Sequence, residues 1–141
     1  VKLFILNILI FITPGLMSYS CDGVKHSPES NIPSTQYIFS GRVVGLEEVK
    51  EKDGGYKLKA QIEVESYWKS KVPRKTYVLT GVGGMDCGYP FVFRERYIVF
   101  AYRDGDFFKT NIFSGTTSVY PLNEQSDRLV ELLGKPIMEY K

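Results

Sequence analysis

Tyr56-Lys57-Leu58-Lys59-Ala60-Gln61-Ile62-Glu63-Val64-Glu65-Ser66 is the stretch on which the fold turns. Tyr56, Leu58, Ala60, Ile62, Val64 and Ser66 alternate with Lys57, Lys59, Gln61, Glu63 and Glu65. A period of two puts the first set on one face of a strand and the charged set on the other, so one face is buried and one is wet. Just before it, Lys52-Asp53-Gly54-Gly55 is a hairpin turn with two residues free to take positive φ. Before that turn, Tyr37 to Leu46 is rich in β-branched and aromatic residues, and Glu47 to Glu51 continues it as a charged extension. Gly41 and Gly45 interrupt this first strand, as expected where a strand bends or a neighbouring backbone comes close at a barrel corner.

After the alternating strand, Tyr67-Trp68-Lys69 ends it with a large aromatic pair, and Thr76 to Thr80 reads as a third strand. Gly81-Val82-Gly83-Gly84 is loop, because three glycines in four positions hold a sheet poorly. Tyr97 to Tyr102 is a fourth strand; Arg103-Asp104-Gly105-Asp106 turns it, and Phe107 to Phe113 returns antiparallel. Five strands on short turns predict an all-β sandwich or small barrel. Ser27-Pro28-Glu29 opens one short helical turn near the start. From Asn123 to Leu133 the period changes: Leu122, Leu129, Leu132 and Leu133 share a helical face, Glu124, Gln125, Asp127 and Glu131 point away, and Gly134 and Pro136 stop the helix.

The two ends bound the class. Residues 1–20 carry Lys2, a nearly pure apolar run from Leu3 to Ile12, a break at Pro14-Gly15, and Ser18-Tyr19-Ser20 before Cys21. That layout predicts a secretory signal peptide over 1–20 and one mature domain over 21–141. A rival cleavage after Ser18 leaves Tyr19 at the front. A lipidated Cys21 is the one route to a membrane, and Ser18-Tyr19-Ser20 is a poor lead-in for it. With Lys2 removed, the formal charge falls from +2 to +1. Scattered Lys and Arg at near-neutral balance exclude a surface built on phosphate contacts, so nucleic acid is not an expected partner.

Cys21 and Cys87 are the two cysteines. In an oxidising, extracytoplasmic compartment an even pair reads first as a disulfide, with two free buried thiols as the alternative. Such a bridge closes a loop of about 66 residues and stabilises by roughly 4 kcal/mol on chain entropy.

Catalytic patterns are missing from the sequence. His26 is the single histidine and sits in a polar loop, and no ligand set for a structural zinc exists beside it. Asp104 and Asp106 suit a turn rather than an acid–base pair. Gly81–Gly84 lacks the Lys-Ser/Thr ending of a phosphate loop. The expectation is a binding domain with no cofactor, not an enzyme. If Cys21 is the first mature residue, a bridge to Cys87 holds an α-amine and its neighbouring carbonyl in fixed geometry, two donors within reach of one metal. The plainer reading is that the bridge only secures the chain end. Among the aromatics, Tyr67, Trp68, Tyr89 and Phe91 are candidates for an exposed patch, with burial of Trp68 the favoured outcome.

Taken in order, Cys21 after the signal, Phe39-x-Gly41-x-Val43, Val64-x-x-Tyr67-Trp68-Lys69, Cys87-Gly88-Tyr89-Pro90-Phe91, Tyr97-x-Val99-x-Ala101-Tyr102 and the Thr110 strand make a pattern. It resembles the netrin-type domain that forms the N-terminal part of tissue inhibitors of metalloproteinases and of their bacterial look-alikes. The resemblance implies a five-stranded closed barrel of the oligonucleotide/oligosaccharide-binding (OB) type, with a short N-terminal helical segment and a C-terminal helix. It implies that Cys21, bridged to Cys87, caps a partner protease's zinc through its amine and carbonyl. Asp22, Gly23, Met85, Asp86 and Gly88 then share the contact ridge.

Two departures qualify the transfer. Members usually carry a second bridge, whose partners here are Gly23 and Phe113, so both cysteines are absent together and apolar packing by Phe113 replaces the bond. The residue after the first cysteine usually enters the protease specificity pocket as Thr or Ser. Asp22 would bring a carboxylate there, and burying it unpaired costs several kcal/mol. The implied function is a secreted, monomeric, metalloprotease-inhibitor-like module with poor action on ordinary matrix-type enzymes. The alternative is a non-inhibitory extracellular or envelope module that binds protein by its surface. Oligosaccharide binding is a third option and needs Tyr67 and Trp68 exposed.

Overall fold

The computed structural model describes residues 21, 23–83, 86–119 and 123–141. Residues 1–20, Asp22, Met85 and Leu122 lie outside this set, and with them the expected signal segment and two of the expected ridge residues.

A four-residue helix, α1 (Pro28–Asn31), precedes four strands: β1 (Tyr37–Lys50), β2 (Tyr56–Lys69), β3 (Lys75–Gly81) and β4 (Arg96–Asp104). Short strands β5 (Phe107–Lys109) and β6 (Thr117–Ser118), helix α2 (Glu124–Leu133) and β7 (Met138–Glu139) complete the order. β1 pairs antiparallel with both β2 and β4, β2 with β3, β4 with β5, and β3 runs parallel to β5. Those five pairings close a ring: the strand pattern's sandwich-or-barrel reading resolves to a barrel, of the OB-like form that the resemblance implied.

Closure depends on β1, which serves two neighbours at once. Register shifts between Ser40 and Gly41 and between Val43 and Gly45 bend it, as bulges do. At Gly41 a Cβ would lie 2.5 Å from the Glu63 carbonyl oxygen and 2.6 Å from Ile62 Cγ2, so only glycine permits the crossing.

Phe39, Val43, Ala60, Ile62, Val64, Val78, Tyr97, Val99, Ala101 and Phe108 fill the barrel. The alternation read in β2 holds from Ala60 to Val64, while Tyr56 is half exposed because the β1–β2 hairpin extends past the barrel mouth. On the outer face Ile38, Ile98 and Phe100 meet Leu129 of α2, with Trp68, Ile32, Val119 and Leu133 around them. β4 is therefore covered on both faces, which its unbroken apolar run Tyr97–Ala101 allows.

Helix α2 has the expected ends. The Asn123 side chain accepts from the Gln125 N–H at 3.1 Å, and Gly134 at φ 68° closes the other end through its N–H on the Val130 carbonyl. The expected apolar stripe is narrower than read: Leu129 is buried and Leu133 packs, but Leu132 is 55 % exposed and Ser126 takes a buried place. The fifth strand is also shorter than Phe107–Phe113. After Lys109 the chain leaves β4, and the Thr110 and Ile112 N–H groups donate to Leu79 and Cys87 carbonyls instead.

Candidate functional site

Cys21 and Cys87 form a disulfide with 5.3 Å between their Cα atoms. The bridge fits an oxidising, extracytoplasmic compartment. Among the described residues no helix is long and apolar enough to cross a membrane.

Three backbone segments meet around the bridge. The first is the chain at Cys21 and Gly23, the second is the end of β3 at Gly81 with Val82, Gly83 and residues 86–88, and the third is Asn111–Phe113. Cys87 ties the last two, because its carbonyl accepts the Ile112 N–H at 3.1 Å. Phe113 ties the first and third. Its ring lies so close to Gly23 that a Cβ there would fall 2.6 Å from the ring edge. Asn31 of α1 donates from Nδ2 to the Phe113 carbonyl at 3.0 Å and secures the segment further along. Gly23 and Phe113, the two positions where the resemblance expected a lost second bridge, are thus in apolar contact.

Asp86 organises the glycine loop. Its Oδ2 accepts the Val82 N–H at 2.8 Å, and its Oδ1 accepts from Gly83 at 3.0 Å and Gly88 at 3.2 Å. Partial desolvation works to raise its pKa, but those three N–H groups and the nearby Lys57 charge outweigh it and hold the carboxyl below its ordinary value of 3.8. The carboxylate sits directly over Gly81 Cα, and Gly88 packs on the Gly81 backbone, so neither glycine has room for a side chain. Cys87 follows at φ 57°, in the left-handed region uncommon for a residue with a Cβ. The carboxylate clamp, the two glycines and the positive φ together aim the Cys87 side chain at Cys21.

Cys21, Gly23, Asp86, Cys87 and Gly88 of the expected ridge are brought together. Asp86 is exposed beside Cys87, and its carboxylate accepts from the N–H groups of its own loop. Asp22 and Met85 lie outside the described residues. A hollow of about 170 Å³ beside Cys87, lined by Lys57, Asp86, Tyr102, Lys109 and Asn111, is smaller than the roughly 300 Å³ at which small-molecule pockets begin. Sequence reading missed Asn111 and Asn31 as supports of the ridge; their signal is only visible once the loops are adjacent.

The candidate aromatic patch does not form. Tyr67 and Phe91 are buried, Tyr89 and Phe91 pack edge-on against Tyr97, and the Trp68 indole N–H donates to the Gly134 carbonyl at 2.8 Å. With Tyr67 inside the core, the oligosaccharide platform loses the exposure it required. His26 is exposed in the segment before α1.

No family model matches the chain, and none of the curated proteins is a significant match to its sequence.

Proposed function

We propose that this chain is a secreted netrin-type binding module that caps the zinc of a partner metalloprotease through the amine and carbonyl of Cys21. The observation that carries the proposal is the disulfide to Cys87 on a loop that is itself clamped by Asp86. A chain end is normally frayed. One bridged at its first residue, packed at its third under Phe113 and backed by a fixed loop is pre-organised, which lowers the ordering cost of binding. A neutral amine and a carbonyl oxygen are an N,O pair suited to the open position of a catalytic zinc. The closed ring of five strands and the Gly23–Phe113 contact agree with the netrin-type resemblance.

Asp22 sets the selectivity in this reading. Its carboxylate disfavours apolar specificity pockets and favours a protease whose pocket is basic. Titration of a panel of zinc proteases with the native protein and with Asp22→Thr tests both statements. The expected result is weak or no inhibition of apolar-pocket enzymes by the native protein and a gain for Asp22→Thr. If Asp22→Thr inhibits no better, the carboxylate argument is wrong. If neither protein inhibits any enzyme in the panel, the domain is a protein-interaction module without metal chemistry.

A further inference from the structure

The two sides of the Cys21–Cys87 bridge are braced unequally. On the Cys21 side, Gly23 to Ser27 run exposed toward α1, and Val24, Lys25 and His26 make no hydrogen bond or ion pair among the described residues. The chain is next held at Pro28, which is buried, and at Asn31, whose Nδ2 donates to the Phe113 carbonyl at 3.0 Å. Residues 22–27 separate Cys21 from Pro28, and apart from the bridge their hold is the contact of Gly23 with the Phe113 ring.

Cys87 is placed without help from the bridge. Asp86 beside it accepts from the Val82, Gly83 and Gly88 N–H groups, the Cys87 carbonyl accepts the Ile112 N–H, and Gly88 packs on the Gly81 backbone. The ring of strands closes through pairings that use neither cysteine. Both cysteines are half-exposed, so a thiol in solvent can reach the bond, and exposed bridges are the labile ones.

We propose that the Cys21–Cys87 bridge is a redox latch: a thiol reductant opens it, residues 21–26 come away, and the barrel stays folded. A thiolate attacks one sulfur of the bridge, forms a mixed disulfide and releases the other sulfur as a thiolate, which takes up a proton. A second thiolate resolves the mixed disulfide. The net change oxidises two reductant thiols to one disulfide and reduces the bridge to two protein thiols. With two cysteines in the chain, reoxidation has one intramolecular product, so the latch closes again without scrambling. As regulation of the zinc-capping site the latch rests on that reading, because the Cys21 donors leave with the segment; the release itself does not.

The tether sets the equilibrium. With glutathione as reductant, half of the bridges are open when the squared glutathione concentration divided by that of glutathione disulfide equals the effective concentration of one protein thiol at the other. A group on a short flexible tether has an effective concentration in the millimolar range, whereas two groups fixed in one rigid body exceed it by orders of magnitude. The expected midpoint is about 1–50 mM, its upper end allowing for the Phe113 contact.

The test takes the exported, disulfide-bonded protein, isotope-labelled, through glutathione buffers of graded ratio. Acid quench, alkylation and intact mass give the fraction open. Backbone order parameters of Val24, Lys25 and His26 should stand above about 0.6 with the bridge closed and fall below it on opening. Exchange protection should persist at the Val43 and Val64 amides, which donate to the Glu95 and Arg74 carbonyls. Cys21→Ser with Cys87→Ser, open without reductant, should match the reduced protein in both readouts.

A midpoint above about 100 mM overturns the proposal, because the segment is then held without the bridge. So does loss of the Val43 and Val64 protection on opening, a double variant that does not fold, or a segment equally ordered in the two states. Inhibition of a zinc protease that is equal with the bridge open and closed overturns the latch as regulation. A closed form that inhibits no protease, with the midpoint as stated, overturns the zinc-capping reading and leaves the latch standing.

Discussion

Asp86 offers the sharpest test of how the ridge is built. Asp86→Ala removes an acceptor from three backbone N–H groups, those of Val82, Gly83 and Gly88. A net hydrogen bond contributes about 0.5–1.5 kcal/mol, and this side chain is exposed, so water recovers part of each loss. The expected cost is therefore near the low end, about 1.5–2 kcal/mol for Ala. Asp86→Asn keeps one oxygen and turns an N–H₂ toward a donor, for a cost of about 1 kcal/mol. The pH dependence follows from the lowered carboxyl. A group whose folded pKa lies below its unfolded value contributes stability above the unfolded value, here near 3.8, and loses it as pH falls through the folded value. The gap between native and Asn proteins should be full at pH 7 and narrower at about pH 3, below the unfolded value. Urea unfolding at the two pH values measures the gap, and amide hydrogen exchange at Val82, Gly83 and Gly88 locates it. Equal exchange at those three amides in native and Ala proteins, with stabilities within about 0.3 kcal/mol, would refute the clamp.

Gly41→Ala places a methyl against the Glu63 carbonyl and Ile62, so it should destabilise by about 2–3 kcal/mol in urea unfolding; a neutral result would mean that β1 does not cross β2 so closely. Phe113→Ala removes the half-buried ring over Gly23 and should cost about 1–2 kcal/mol, with faster exchange of the Ile112 amide, which donates to the Cys87 carbonyl; unchanged exchange there would separate Phe113 from the ridge.

Strong local patterns made most of the barrel legible. The alternation through Ala60, Ile62 and Val64, the Asp53-Gly54-Gly55 turn, and the Asn123 and Gly134 helix ends each encode their geometry within a few residues. β6 and β7 were invisible because two-residue strands carry no period and exist only through the partners they find on β4 and β2. The parallel β3–β5 contact closes the ring yet has no local signal, since it joins Val78 to Phe108 across the intervening chain. In the site, the cysteine pair and the glycines could be read, because bridge and turn chemistry are tied to residue type. The Asp86 clamp could not, since it depends on how the fold brings the Val82, Gly83 and Gly88 N–H groups together.

The chain end itself is where the account is most exposed. N-terminal sequencing with intact mass on protein recovered from the exporting cell should show Cys21 first, its amine unmodified, and a mass two hydrogen atoms short of the dithiol. Tyr19 at the front, or an acyl group on the Cys21 nitrogen, would leave no free donor pair to offer a zinc ion.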